Sequence, residues 1–162
     1  VLLLPVLFAV TFGGALPARD LDGAQAALQT LRQEVGGALE DGGDNFDQEV
    51  LFITQRHLLT FGEIPSIPLV PEYELVFLME MAMSAHPAYL EQFHSDIQNQ
   101  RFGYIVSEPL GTSLQGPHHA FGEENDAWVE QVSIPVLCYY EPTVSLDGYN
   151  IQILTPRPTP CE

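Results

Sequence analysis

Three short segments of this chain carry the side chains best suited to chemistry. Arg56 and His57 follow the apolar run EVLFIT at 49–54, Glu72 and Tyr73 follow IPLV at 67–70, and Glu108 follows FGYIVS at 102–107. Each run has the length and apolar character of a strand buried on both sheet faces. In open α/β sheets, ligands bind beyond the carboxyl ends of the strands. If the three strands are neighbours, Arg56, His57, Glu72, Tyr73 and Glu108 converge on one mouth. Its carboxylates would bind the hydroxyls of a sugar or other polyol, with Tyr73 as a stacking platform. The plainer reading is an ion pair, Arg56 with Glu72 or Glu108, that only fixes the loop ends.

Catalysis asks for more. A glycoside hydrolase-like enzyme using Glu72 and Glu108 would need its two carboxyl groups ~5–9.5 Å apart. Glu72 and Glu74 are two residues apart and face different ways on a helix. His118 and His119, with Glu123, Glu124 and Asp126 close by, are the nearest approach to a metal set, and exposed loop histidines are the expectation. Cys138 and Cys161 have neither a CxxC spacing nor clustered histidines to make a metal site. They form a candidate disulfide that would clip the carboxyl-terminal tail to the last strands. The chain has no Walker loop, GxGxxG, GxSxG or HExxH pattern, so no cofactor is expected.

Charge narrows the partners. The 162 residues include 22 acidic side chains against five arginines and no lysine, a formal charge of −17. Such a surface repels phosphate backbones and anionic lipid headgroups, which argues against nucleic acid. Cytoplasmic flanks of membrane spans are enriched in Lys and Arg, so a lysine-free domain beside an apolar segment fits the outer side. An apolar fraction of 46% and a charged fraction of 17% describe a globular chain.

The elements that must position these residues follow from periodicity and turn chemistry. Residues 1–18 are apolar and uncharged, slightly short of the ~20 residues a spanning helix needs. They read as the outer end of a transmembrane helix, as a signal-peptide remnant before Arg19, or as an ordinary core element. The opening Val rather than Met suggests a longer parent chain. Residues 19–48 form an amphipathic helix, with Leu21, Ala24, Leu28, Leu31 and Val35 on one face, and a Gly-rich acidic linker. The remaining 49–162 are the compact domain. A helix over 72–84 looks apolar nearly all round and deeply packed, with Met79, Met81 and Met83 as core. A second helix starts at His86-Pro87 and turns Tyr89, Leu90, Phe93 and Ile97 inward and Asp96 outward. After a loop at 109–123, a short helix spans 126–131 with Trp128 inward. The runs 134–140 and 149–155 pair as a hairpin around Asp147-Gly148. The predicted fold is α/β: a three-layer, Rossmann-like, mostly parallel sheet with a carboxyl-terminal β-hairpin at its edge, preceded by an apolar helix.

The segments LFITQRHLLTF, LVPEYELVFLMEMAMS, YLEQFHSDIQNQRFGYIVSEP and WVEQVSIPVLCYYEP together resemble the carboxyl-terminal extracytoplasmic domain of polytopic bacterial membrane proteins. Those proteins look like lipid-linked-sugar glycosyltransferases of the protein-mannosyltransferase kind. The resemblance spans about residues 1–157 and includes no counterpart of the family's catalytic acid. It implies a membrane-anchored, extracytoplasmic accessory domain that binds or positions a glycan, a lipid-linked sugar, an acceptor or a partner. A purely structural assembly module is the remaining alternative.

Overall fold

The computed structural model describes residues 26–27, 29–36, 49–54 and 70–161. Among them, four strands form one mixed sheet: β1 (Glu49–Ile53), β2 (Phe102–Ser107), β3 (Tyr140–Leu146) and β4 (Ile151–Pro156), in the order β1-β2-β4-β3. β1 and β2 are parallel, while β4 runs antiparallel to both β2 and β3. The α/β class and the hairpin at the sheet edge are as expected from the sequence. A mostly parallel sheet is not what the described residues form, because only one of the three pairings is parallel. The expected strand at 67–70 lies outside the described residues apart from Val70, as do the apolar segment 1–18 and the linker at 37–48. No described helix is long and apolar enough to cross a membrane.

After β1, the described residues form the α-helices α1 (Leu75–Met83), α2 (Pro87–Gln98), α3 (Gly122–Trp128) and α4 (Ile134–Tyr139). A π turn, Val129–Ser133, joins α3 to α4. The run at 134–140 is therefore helical up to Tyr139, not a strand. A short apolar stretch does not distinguish a buried strand from a buried helix, and here the preceding helix simply continues. The true first strand of the hairpin is the more polar YEPTVSL, whose edge position tolerates Pro142. The turn is longer than two residues: a 3-10 turn, Asp147–Tyr149, is followed by Asn150 in the left-handed region at φ 54°.

Both helices before β2 have legible ends. The Glu74 carboxylate accepts from the amides of Val76 (3.1 Å) and Phe77 (3.2 Å), capping α1. Pro87 occupies the first turn of α2, as the sequence suggests, and His86 caps the helix through Nδ1. Each helix stops in a Schellman motif built on a left-handed residue that is not glycine. Ala85 (φ 47°) closes α1 as its amide and that of His86 bond to the carbonyls of Ala82 and Met81. Gln100 (φ 50°) closes α2 in the same way, with the Arg101 amide reaching the Asp96 carbonyl at 3.0 Å. The Gln100 side chain bonds the carbonyls of Tyr139 (3.0 Å) and Arg157 (2.7 Å), which holds this turn against the hairpin.

Alternation along the strands sends apolar side chains to both sheet faces. One face joins Leu51, Ile53, Phe102, Ile105 and Leu154 to Leu78, Phe93, Ile97, Val132 and Val136 from the helices. The other gathers Val50, Phe52, Val106, Ile151 and Ile153 beneath Leu31 and Val35, which the helical residues before β1 supply. The helix α1 is not packed all round. Only Leu78 and Ala82 are buried, while Val76 is 60% and Met83 50% exposed. The three methionines are accordingly half-buried or exposed rather than core. A nine-residue helix has one inward stripe, so apolar residues on its other faces stay outside.

Candidate functional site

The two parallel strands divide the expected mouth into two places. Glu72 and Tyr73 sit in a 3-10 turn, Pro71–Tyr73, beside the amino ends of β1 and β2. Arg101, which precedes β2, binds three carboxylates there: Glu49 at the start of β1, Asp96 at 2.8 Å and Glu72 at 3.1 Å. Hydrogen bonding to Glu49, followed by Asp96 and Glu72, holds the guanidinium charged well above its ordinary value, against the opposing effect of burial. Asp96 is buried, contrary to its expected outward position, and also accepts from the Tyr73 hydroxyl at 2.6 Å and from Gln92 at 2.9 Å. Tyr73 is 2% exposed and packs edge-on against Phe93, Tyr89 and Phe102. It is a core residue, not a stacking platform. Burial, then the hydrogen bond to Asp96, pushes its phenol far above the usual tyrosine range.

Glu108 lies at the other end of β2. The strand has six residues, so at ~3.3 Å per residue its ends are on the order of 17–20 Å apart. Glu72 and Glu108 therefore do not form a hydrolytic pair. Among the described residues the ion-pair partner of Glu72 is Arg101, and the expected pairs of Arg56 with Glu72 or Glu108 fall outside them. Arg56 and His57 lie outside the described residues.

What Glu108 does line is a cleft of about 330 Å³. Ile53 ends β1 at its floor, and Glu108, Pro109 and Leu110 leave β2 along one side. Leu75, Val76, Met79 and Glu80 of α1 form the opposite wall, with Trp128 from the end of α3. The cleft thus opens beyond the carboxyl ends of the parallel pair, where the sheet architecture places ligands. Its only charged lining groups among the described residues are Glu80 and Glu108, and Glu108 accepts from Asn150 Nδ2 at 3.4 Å. Ser107 is the register partner of Ile53, so its side chain points to the same sheet face. Its hydroxyl is fully buried and has no hydrogen-bond partner among the described residues.

Glu80 and Trp128 were not among the site candidates. Glu80 is the one charge between Leu75 and Met83, a sign that this helix keeps a face in water. Trp128 is half-buried, packing on the core with one side and walling the cleft with another. His118 and His119 are exposed, and no group of three or more metal-binding side chains occurs among the described residues. Asp126 instead organises their loop, accepting from the amides of Gln115 (2.7 Å) and Gly116 (2.9 Å). These amide bonds, that of Gln115 foremost, lower its carboxyl below the ordinary aspartate value. Cys138 and Cys161 are disulfide-bonded, with Cα atoms 5.0 Å apart. Comparison with family models, with curated proteins and with solved structures found no match to this chain.

Proposed function

We propose that this chain is a non-catalytic, extracytoplasmic accessory domain of a membrane glycosyltransferase-like protein, and that it holds an acceptor or partner in the cleft at the carboxyl ends of β1 and β2. The single observation that carries this reading is the cleft itself: an apolar recess with two rim carboxylates, at the place where α/β sheets bind ligands. The Cys138–Cys161 bond supports an oxidising compartment. Apolar side chains at 31 and 35 over the second sheet face support the three-layer reading of the fold. The apolar lead-in at 1–18 is the proposed membrane attachment. A glycan as the bound group is the second reading, favoured by Trp128 in the cleft wall, which would stack on a sugar ring.

The test is a binding screen on the full chain with an apolar fluorescent probe, a glycan panel and polyprenyl-phosphate sugars, repeated on Val76→Asp. Val76 is 60% exposed, so this change leaves the fold intact. Saturable binding that disappears in Val76→Asp supports the cleft as the working site. A protein that binds none of these, or binds them equally well as Val76→Asp, leaves a structural assembly role in its place.

A further inference from the structure

Resting on the reading of the cleft as a binding site, we infer that its occupant is a polypeptide segment presenting an apolar side chain with a lysine or arginine beside it. The volume of about 330 Å³ is at the small end of ligand pockets, ~300–1,000 Å³, and suits one or two large side chains. The cleft does not end where the recess ends. Val76, Glu80 and Met83 follow one another at i, i+4 and i+7 along α1, and Val76 and Met83 are both at least half exposed. A ligand seated in the cleft therefore continues along an open stripe, which a chain molecule can follow and a compact small molecule cannot. Met79 and Met83 on that surface are unbranched and adapt to varied apolar partners.

The charge of the occupant follows from the rim. Glu80 and Glu108 are its two charged groups among the described residues, and the whole chain carries −17 without a lysine. A carboxylate or phosphate on the ligand would meet like charge in the cleft and in the long-range field, whereas a cation is drawn in. A sugar fits less well. Each ring carries several hydroxyls, and the described lining of the cleft offers two carboxylates and otherwise aliphatic, thioether and indole surface. Hydroxyls taken out of water there would go unpaired, at a cost that binding must absorb.

The experiment titrates three fluorescent peptides into the full chain and reads anisotropy. All share a Leu-Phe core, flanked by lysine in the first, glutamine in the second and glutamate in the third. The lysine peptide is expected to bind about tenfold tighter than the glutamate peptide at low salt, the difference shrinking as salt screens the rim. In the Glu80→Gln/Glu108→Gln double variant the preference should fall below ~2-fold, since the two attractive charges are gone while the apolar wall remains. Glu80 is exposed and Glu108 half-buried, and unchanged thermal unfolding of the variant checks its fold. Equal binding of all three peptides overturns the inferred charge. Binding confined to glycans or polyprenyl-phosphate sugars overturns the peptide and leaves the cleft as a site. No binding of any peptide, glycan, lipid-linked sugar or apolar probe overturns both this inference and the proposed function.

Discussion

Replacing Arg101 by Met removes a charge that three carboxylates share, and the guanidinium whose Cζ lies 5.3 Å from the Phe102 ring centroid, while keeping much of the apolar stem. The three contacts do not weigh equally. The side chains of Glu49 and Glu72 are 34% and 45% exposed, so water takes over much of each interaction and each is worth below ~1 kcal/mol. Asp96 is only 12% exposed in its side chain, and a charged hydrogen bond of this sort contributes ~1.5–3 kcal/mol. Glu49 does most to keep Arg101 charged, yet Asp96 loses most when Arg101 goes, because it is left buried beside the Tyr73 hydroxyl and Gln92 alone. Allowing for non-additivity among linked groups, Arg101→Met should cost ~3 kcal/mol. For a domain of this size that is a fall in Tm of roughly 6–12 °C, measured by calorimetry or far-UV circular dichroism. Adding Asp96→Asn removes the stranded charge and keeps an oxygen for Tyr73, so the double variant should recover ~1–2 kcal/mol. A single variant that loses less than ~1 kcal/mol, or a double variant no better than the single, would refute the reasoning.

Three further outcomes are expected. Reducing the Cys138–Cys161 bond, which closes a sequence separation of 23, should lower stability by ~3 kcal/mol, read as a shift of the urea midpoint with and without reductant. Tyr89 and Tyr140 are pushed up to about 12, chiefly by burial, and Tyr73 higher still. Raised folded values mean that their contribution is complete below the ordinary tyrosine pKa of ~10 and is lost as pH climbs through the folded values, so unfolding should become easier between about pH 10 and 12. Phenolate absorbance should show these three groups titrating late, and together with unfolding; a normal titration of all tyrosines in the folded protein would contradict this. Finally, Ala85→Gly relieves a left-handed alanine and should raise stability by ~0.5 kcal/mol, the ~1–2 kcal/mol of strain being partly offset by unfolded-chain entropy. Gln100→Gly relieves the same strain but deletes two side-chain hydrogen bonds, so it should lower stability in the same denaturation assay.

How far the sequence predicts this structure depends on whether the decisive physics is local. The start of α2 is legible because His86 and Pro87 are adjacent, and cap and first-turn preferences act within one helical turn. The buried β1 and β2 are legible as short apolar runs. The left-handed caps are not, since Ala85 and Gln100 stand where a glycine would announce them. Ile134–Tyr139 misleads because apolar composition reports burial, not backbone conformation, and the polar YEPTVSL edge strand hides behind Pro142. Asp96 reads as a surface residue on helical periodicity. Its burial is decided by Tyr73 and Arg101, which are 23 and five residues away in the chain. Of the candidate mouth, Glu108 lies at the cleft as the strand-end rule suggests, while Glu72 and Tyr73 fall at the opposite end, in a 3-10 turn beside Arg101 and the start of β1.

That division of the sheet into two ends has a physical consequence. At the amino ends of β1 and β2, one guanidinium, three carboxylates and a phenol satisfy one another and close the surface. Beyond the carboxyl ends, the chain leaves β2 for a loop without regular structure, and the cleft opens between that exit and α1. Loop surface is where binding residues are commonly carried, provided the elements beneath it are held firmly elsewhere. Arg101 and its partners do that holding at the far end. Variants at Val76, Glu80 and Glu108 should then change binding while stability stays within ~0.5 kcal/mol, and Arg101→Met should do the reverse. A binding loss in Arg101→Met at a temperature where it is fully folded would show instead that the two ends are coupled through β1 and β2.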